Sequence, residues 1–206
     1  TNPHRGPQTR KPFKKQAGPS ARQLAACAID PVQIFATVGK DVLPWQRQLF
    51  ASNRNTIINC SRKAGKSYGV AALAIEQAEF HSPASLKRDN NDVLIVCPSE
   101  RQSAETLRFC LAIHYDLGQP VPIMRANESR LEFTHGSRII CAPASELTIR
   151  TYGPTLLITD EAARIPDDVF EAIGPMVAHS HGRVVMPSTP AGKRGFWYRQ
   201  IKRARD

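Results

Sequence analysis

The residues with the clearest chemical potential form a loop suited to holding phosphates. Residues 60–67 have the sequence CSRKAGKS and lie between a short apolar run and a segment with helical periodicity. A strand–loop–helix context of this kind binds anions, because loop N–H groups and the helix N-terminus converge on the phosphate. Gly65 permits the close turn, Lys66 reaches the outer phosphates, and the Ser67 hydroxyl can bind Mg²⁺. The predicted nucleotide-binding residues of the loop are Ser61, Arg62, Lys63, Ala64, Gly65, Lys66 and Ser67.

Two adjacent carboxylates supply a second part of the candidate site. Asp160 and Glu161 follow the apolar run Leu156–Thr159, and side chains at the carboxyl end of a parallel strand face the ligand crevice. Asp160 would bind Mg²⁺, and Glu161 would polarise an attacking water molecule. The alternative is a solvated acidic pair that opens a helix. The phosphate loop upstream favours the catalytic interpretation.

A third segment, Ser188-Thr189-Pro190, follows another apolar run. A hydroxyl at a strand end could hydrogen-bond the γ-phosphate or the attacking water, and it could report hydrolysis to the residues that follow. The alternative is an ordinary turn built on proline and glycine.

Upstream of the loop, Gln46 is a candidate for reading adenine, because an amide can pair with the donor and acceptor edge of that base. Trp45 or Arg47 could pack nearby. The alternative is a capping helix in which Trp45 belongs to the core.

The predicted strands and helices would bring these segments together. Short helices are predicted from Ala21, from Pro31 with Asp30 as N-cap, and from Pro44. Downstream the order is β-α-β-α-β-β-β-α-β, which indicates a mainly parallel, three-layer α/β fold. The predicted strands are 56–60, 92–97, 130–134, 138–142, 155–159 and 183–186, and the predicted helices are 66–80, 99–117 and 167–177.

Composition excludes several other classes of protein. The chain has 206 residues, of which 41% are hydrophobic and 22% charged, as in ordinary globular domains. No apolar run reaches the length of a membrane span, and no signal peptide is evident. The five cysteines form no CxxC pair, which predicts reduced thiols and a cytoplasmic protein that is not secreted. His179 and His181 resemble a metal pair, but no third ligand lies near them in the sequence.

The positive charge is concentrated at the two ends of the chain. The formal net charge is +10. Residues 1–22 carry six basic groups and no acidic one, residues 193–206 carry six basic groups and one acidic one, and residues 23–192 are almost balanced. A basic end favours nucleic acid as a partner, although a merely solvated tail is equally compatible with the composition.

Together these segments resemble the ATPase domain of the large subunit of tailed-phage terminases, the motor that packages viral DNA. The resemblance covers about residues 40–200. It rests on Ser61–Ser67 with an arginine inside the loop, on Asp160-Glu161-Ala162-Ala163, and on Ser188-Thr189-Pro190 followed by Gly192. The loop of this family often lacks the first glycine, which agrees with Cys60.

The resemblance implies an ATPase that uses ATP and Mg²⁺ and belongs to the additional-strand, conserved-glutamate class of P-loop NTPases. It assigns Gln46 to adenine, Lys66 and Ser67 to the phosphates and Mg²⁺, and Asp160 to Mg²⁺. Glu161 would activate water. Ser188, Thr189 and Pro190 would form the coupling motif.

The resemblance also offers two rival catalytic arginines. Arg150-Thr151-Tyr152 resembles an Arg-Gly-Tyr segment of the family, with Thr151 in place of glycine. Arg150 would then reach the γ-phosphate of a neighbouring subunit. Arg62 would instead act within its own subunit. A surface ion pair is the alternative for Arg150.

The implied partners are double-stranded DNA, further copies of the chain in a homo-oligomeric ring, the portal protein and the small terminase subunit, with no membrane. We expect a disordered basic tail over residues 1–20, helices carrying the adenine-side motif over 21–52, and the ATPase core over 53–206. The family's large subunit usually continues into a nuclease domain, and no comparable carboxylate cluster follows the coupling motif here. We therefore expect a piece of a longer protein, without nuclease activity of its own.

Two other functions remain compatible with the sequence. The acidic pair and Ser188-Thr189-Pro190 also resemble motifs of superfamily 2 helicases and other DNA translocases, although a helicase needs a second RecA-like domain. A binding module that retains only the fold is the other possibility. Intact Lys66, Asp160 and Glu161 argue against it.

Overall fold

The computed structural model describes residues 18–145 and 151–204. Its elements begin with α1 (Ala21–Ile29), α2 (Gln33–Thr37), α3 (Pro44–Ala51), β1 (Thr56–Asn59), α4 (Lys66–Glu79), β2 (Asn91–Cys97) and α5 (Glu100–Asp116). They continue with β3 (Ile123–Ala126), β4 (Arg130–Phe133), β5 (Ser137–Pro143), β6 (Leu156–Thr159), a 3₁₀ turn (Ala162–Arg164), α6 (Asp167–Ser180), β7 (Arg183–Ser188) and α7 (Gly195–Arg203).

The seven strands form one sheet in the order β1-β7-β6-β2-β5-β4-β3. The first five strands in this order pair in parallel, and β4 and β3 extend the sheet in antiparallel fashion beyond β5. The prediction of a mainly parallel α/β sheet is therefore confirmed. β7 lies between β1 and β6.

Both faces of the sheet are covered by helices. Along β2, Val93 and Ile95 pack into a cluster shared with helices α1–α5, whereas Leu94 and Val96 pack into a cluster shared with α6 and α7. Successive strand side chains point to opposite faces, so a strand buried on both sides is apolar throughout. The predicted three-layer architecture is confirmed.

Local signals in the sequence account for several helix ends. Ser99 accepts the backbone N–H of Gln102 and begins α5, as predicted. Ser20 and Gln23 form a capping box at the start of α1. The prediction for α2 was wrong by two residues. The Asp30 carboxylate accepts the Val32 N–H at 3.2 Å, so Asp30-Pro31 form a turn and the helix begins at Gln33.

Two elements were not predicted. β3 has four residues, three of them exposed, and its pattern lacks the apolar alternation that indicates a strand. α7 lies in the basic run near the C-terminus, where Trp197 is the one buried residue among the nine. Phe196, Trp197 and Ile201 form an apolar face that packs into the cluster shared with α6, and this spacing was not recognised among the basic residues.

The described part of the chain also bears on the predictions about thiols, the membrane and the tail. All five cysteines are free, in agreement with the prediction. Among the described residues, no helix is long and apolar enough to cross a membrane. Most of the predicted tail over residues 1–20 lies outside the described residues.

Candidate active site

Three neighbouring strand ends form the candidate active site. β1 leads into the phosphate loop, β6 leads into Asp160 and Glu161, and β7 ends at Ser188. Because β7 pairs with both β1 and β6, these three segments meet at the carboxyl edge of the sheet. The fold therefore brings together residues that are more than 90 positions apart in the sequence.

The phosphate loop makes its turn with two residues of positive φ. Gly65 has φ 69° and ψ 23° and stands at the N-cap of α4, and Lys63 has φ 60°. Glycine adopts this left-handed conformation without a steric penalty. Lys66 is only 6% exposed, and its Nζ donates to the carbonyl oxygen of Ser61 at 3.1 Å. The lysine thus lies back across its own loop.

Lys66 and Glu161 form an ion pair, with 3.5 Å between Nζ and Oε1. The second carboxylate oxygen of Glu161 accepts the Thr189 hydroxyl at 2.8 Å and the Thr189 backbone N–H at 3.3 Å. Burial alone would raise the pKa of Glu161, but the hydrogen bonds from Thr189 and the charge of Lys66 outweigh it and lower the pKa. The glutamate is therefore ionised at neutral pH and can accept a proton.

Asp160 lies beside Ser67 at the base of the site. It is 4% exposed, and its Oδ2 accepts the Ser67 hydroxyl at 3.4 Å. Burial and the neighbouring charge of Glu161 raise the pKa of Asp160 to about 6. A carboxylate and a hydroxyl are hard oxygen ligands, and Mg²⁺ is commonly held by one or two such groups together with substrate phosphates. These two side chains fit that ion, and its charge would offset the cost of burying ionised Asp160.

The predicted coupling motif contacts the glutamate directly. The Ser188 hydroxyl lies 3.4 Å from Glu161 Oε2, and its oxygen accepts the Ala163 N–H at 3.1 Å. Thr189 supplies the two stronger contacts described above. Pro190 follows on the exposed surface. The motif therefore joins β7 to the acidic pair at the end of β6.

The cationic residues differ in where they lie. Arg62 and Lys63 are exposed at the mouth of the cleft, beside Lys66. Arg150 lies outside the described residues. Tyr152, two positions later, accepts a hydrogen bond from Arg130 at 3.0 Å. The choice between Arg62 and Arg150 as a catalytic arginine stays a prediction.

Gln46 and Trp45 contact the phosphate loop. Gln46 is 3% exposed and donates from Nε2 to the Gly65 carbonyl at 3.2 Å. The Trp45 indole donates to the Ala64 carbonyl at 3.1 Å. Adenine recognition by Gln46 stays a prediction.

His179 and His181 are exposed, and within residues 18–145 and 151–204 no group of three or more His, Cys, Asp or Glu side chains could hold a metal ion.

Comparisons with known proteins identify the fold. No protein-family model matches the sequence, and no curated protein sequence matches it. Solved structures do. The large terminase ATPase domain of Thermus phage P74-26 is 20% identical, with a TM-score of 0.69, over 81% of this chain and 71% of that one. The chain has the fold of a large terminase ATPase domain.

Two longer terminases share this fold. The HK97 bacteriophage large terminase is 17% identical, with a TM-score of 0.66, over 84% of this chain and 41% of that one. The large terminase of a thermophilic bacteriophage, solved in complex with ADP, is 13% identical, with a TM-score of 0.53, over 84% and 40%. The chain thus spans about two fifths of each of these proteins.

Within this terminase ATPase fold, the loop opens into a cleft of about 720 Å³. Five of its lining residues were not predicted: Tyr68, Gln102, Glu105, Phe109 and Arg164. Gln102, Glu105 and Phe109 follow the i, i+3, i+7 spacing of one face of α5, so that face could have been recognised once β2 was placed beside the loop. Arg164 Nε lies 4.0 Å from Glu161 Oε2, and its position four residues after Asp160 was the available signal.

Proposed function

We propose that the chain is the ATP-hydrolysing motor domain of a viral terminase large subunit, which drives double-stranded DNA into a procapsid. The observation that carries this proposal is the contact of Glu161 with both Lys66 and Thr189. It links a phosphate-binding lysine, a general base and a candidate coupling residue in one cluster. The terminase fold supports the proposal, and the lining of the cleft suits a nucleotide.

Each residue of the cluster has a role in this mechanism. Lys66 would bind the outer phosphates, and Ser67 and Asp160 would hold Mg²⁺. The ion would neutralise charge that develops on the phosphates. Glu161, which its lowered pKa keeps ionised, would orient a water molecule in line with the γ-phosphate and take its proton.

The Lys66–Glu161 ion pair suggests how phosphate binding would prepare the base. A bound γ-phosphate would compete with the Glu161 carboxylate for the single Lys66 ammonium. As Lys66 turns to the phosphate, Oε1 of Glu161 becomes available to water, while Oε2 stays bound to Thr189. Loss of the γ-phosphate would reverse the exchange. Thr189, which is hydrogen-bonded to Glu161, would therefore contact a carboxylate whose other partner depends on whether the γ-phosphate is present.

The proposal extends to the partners implied by the family. These are a homo-oligomeric ring, double-stranded DNA, the portal protein and the small terminase subunit, in the cytoplasm of an infected bacterial cell. In a ring, Arg150 would serve the site of a neighbouring subunit. Arg62, the rival candidate, would instead serve the site of its own subunit.

Replacing Glu161 with glutamine tests the assignment of the base. Glu161→Gln should keep ATP binding, because the amide preserves shape and Lys66 stays in place. Turnover should fall by about 10² to 10⁴, the usual contribution of a general base. Binding and ATP hydrolysis are measured separately, in the presence of DNA.

Glu171→Gln, an exposed change on α6, is the matched control and should hydrolyse ATP normally. Undiminished hydrolysis by Glu161→Gln would contradict the mechanism.

A further inference from the structure

Two side chains at the start of α3 form hydrogen bonds with the backbone of the phosphate loop. Trp45 Nε1 donates to the carbonyl of Ala64 at 3.1 Å, and Gln46 Nε2 donates to the carbonyl of Gly65 at 3.2 Å. These two donors come from adjacent residues, and they bind adjacent carbonyl groups. The loop is therefore held at two consecutive peptide units.

The two contacts bear on where the N–H groups of those peptides point. The Gly65 carbonyl also accepts the Gly69 N–H within α4 at 2.9 Å, so Gln46 reinforces the orientation that the helix already gives this peptide. The described chain contains no cis peptide bond, and in a trans peptide the C=O and N–H groups point in opposite directions. Because the Ala64 and Gly65 carbonyls face α3, the N–H groups of Gly65 and Lys66 face away from it. Backbone N–H groups at this place in a phosphate loop are the donors that bind the anion.

Gln46 is itself held in place. Its Oε1 accepts the backbone N–H of Leu43 at 2.9 Å, so both ends of the amide are engaged. Gly69 makes room for the contact: a Cβ there would lie 2.9 Å from Trp45 Cη2 and 3.1 Å from Gln46 Nε2. A glycine inside α4 otherwise weakens the helix. Its presence is explained by the close approach of α3.

We propose that Trp45 and Gln46 are positioning residues that orient the Gly65 and Lys66 peptide groups toward the phosphates. This inference rests on the proposed nucleotide binding, and it assigns part of the binding affinity to these two residues. Trp45 and Gln46 contribute affinity for the phosphate chain, whatever base is attached. The two residues preorganise the loop. Less conformational entropy is therefore lost when the anion binds.

Gln46→Met separates this role from adenine recognition. Methionine preserves length and volume but cannot donate to Gly65. The substitution also removes the contact with the Leu43 N–H, but only the Gly65 hydrogen bond reaches the loop, and its loss should weaken the binding of tripolyphosphate with Mg²⁺ by about fivefold to tenfold. ATP and GTP should weaken by the same factor. Gln48→Met, an exposed change on the same helix, should leave all three affinities unchanged.

Unaltered tripolyphosphate binding together with a changed ratio of ATP to GTP affinity would overturn the inference and favour adenine recognition. Trp45→Phe and Gly69→Ala provide independent tests, because one removes the indole donor and the other pushes both side chains away from α4. Both should weaken tripolyphosphate binding while the unfolding temperature stays within a few degrees. If all variants bind like the wild type, this inference fails alone. If the wild-type protein binds neither ATP nor tripolyphosphate, the proposed function fails with it.

Discussion

Glu161 shows what a single residue requires from the rest of the chain. It has φ 50° and ψ 45°, a left-handed conformation that is uncommon outside glycine. Thr189 and Lys66 bind its carboxylate from two sides. Strained backbone of this kind persists where surrounding contacts determine it, often at functional sites. The conformation directs the carboxylate back over the phosphate loop.

At the same scale, sequence reasoning identified the types of the site residues better than their contacts. Lys66, Asp160 and Glu161 could be named because each stands at the end of an apolar strand or at the start of a helix. The Lys66–Glu161 pair could not be foreseen, since it depends on which strands are neighbours. The two hydrogen bonds of Gln46 were equally inaccessible, because they require the three-dimensional path of α3.

A buried pair away from the cleft gives a prediction about pH. Glu79 on α4 and His114 on α5 are fully buried, with 2.7 Å between Oε1 and Nδ1. Burial raises the pKa of Glu79 more than the contact with His114 lowers it. A raised folded-state pKa contributes stability that is present below the unfolded-state value and is lost as pH rises through the folded-state value. Wild-type protein should therefore lose stability relative to Glu79→Gln as pH rises above about 4.3.

The measurement is the free energy of unfolding by urea at a series of pH values. Glu171→Gln serves as the exposed control, and its curve should run parallel to that of the wild type. A parallel curve for Glu79→Gln as well would show that Glu79 titrates alike in the folded and unfolded chains.

Among the elements, α7 shows how a short helix can be fixed by few contacts. Trp197 is 3% exposed and donates its indole N–H to the Met186 carbonyl at 3.2 Å. Phe196 stacks on Phe170 of α6, with ring centroids 4.4 Å apart. At the helix start, Asp167 accepts the Phe196 N–H at 2.6 Å and pairs with Arg199 at 2.9 Å. These contacts place α7 directly on β7 and α6.

Trp197→Ala should cost about 3–5 kcal/mol of unfolding free energy, because it leaves a large cavity. Lys202→Ala, an exposed change on the same helix, should alter stability by no more than about 0.5 kcal/mol. Urea unfolding with two independent probes measures both. Equal small decreases in the two variants would mean that α7 contributes little to the fold.

Elements with strong local signals were predicted well, and elements defined by distant contacts were not. β2 is apolar along most of its length and α5 has a serine cap, so both were recognised near their true ends. β3 is an edge strand that depends on pairing with β4, and its residues carry little apolar pattern. α7 has an apolar face formed by Phe196, Trp197 and Ile201, a helical spacing that was not recognised within the basic run.

For the whole molecule, the uneven charge gives a prediction about DNA. Residues 1–20 carry five of the basic groups: Arg5, Arg10, Lys11, Lys14 and Lys15. If these groups bind phosphates, they contribute to the steepness with which log K for duplex DNA decreases as log salt concentration rises. That steepness should become smaller by about 0.9 for each phosphate that is no longer neutralised. Deleting residues 1–20 should therefore reduce both affinity and slope.

A variant with all five basic groups replaced by glutamine keeps the length of the segment and separates charge from chain length. It should behave like the deletion. An unchanged salt dependence in either protein would show that the segment is only solvated.

The place of β7 in the sheet has a mechanical consequence. Residues 189–194 are all that separates the end of β7 from α7, and α7 is fastened to the body of the domain at Trp197. In a motor, resistance from the cargo must enter the ATPase through some element. Resistance arriving at α7 would pull on Thr189 and, through it, on the base. If the chain is the motor domain that we propose, it would stop hydrolysing ATP when it stalls, because the force that halts the DNA would also displace the Glu161 carboxylate from the position in which it would activate water.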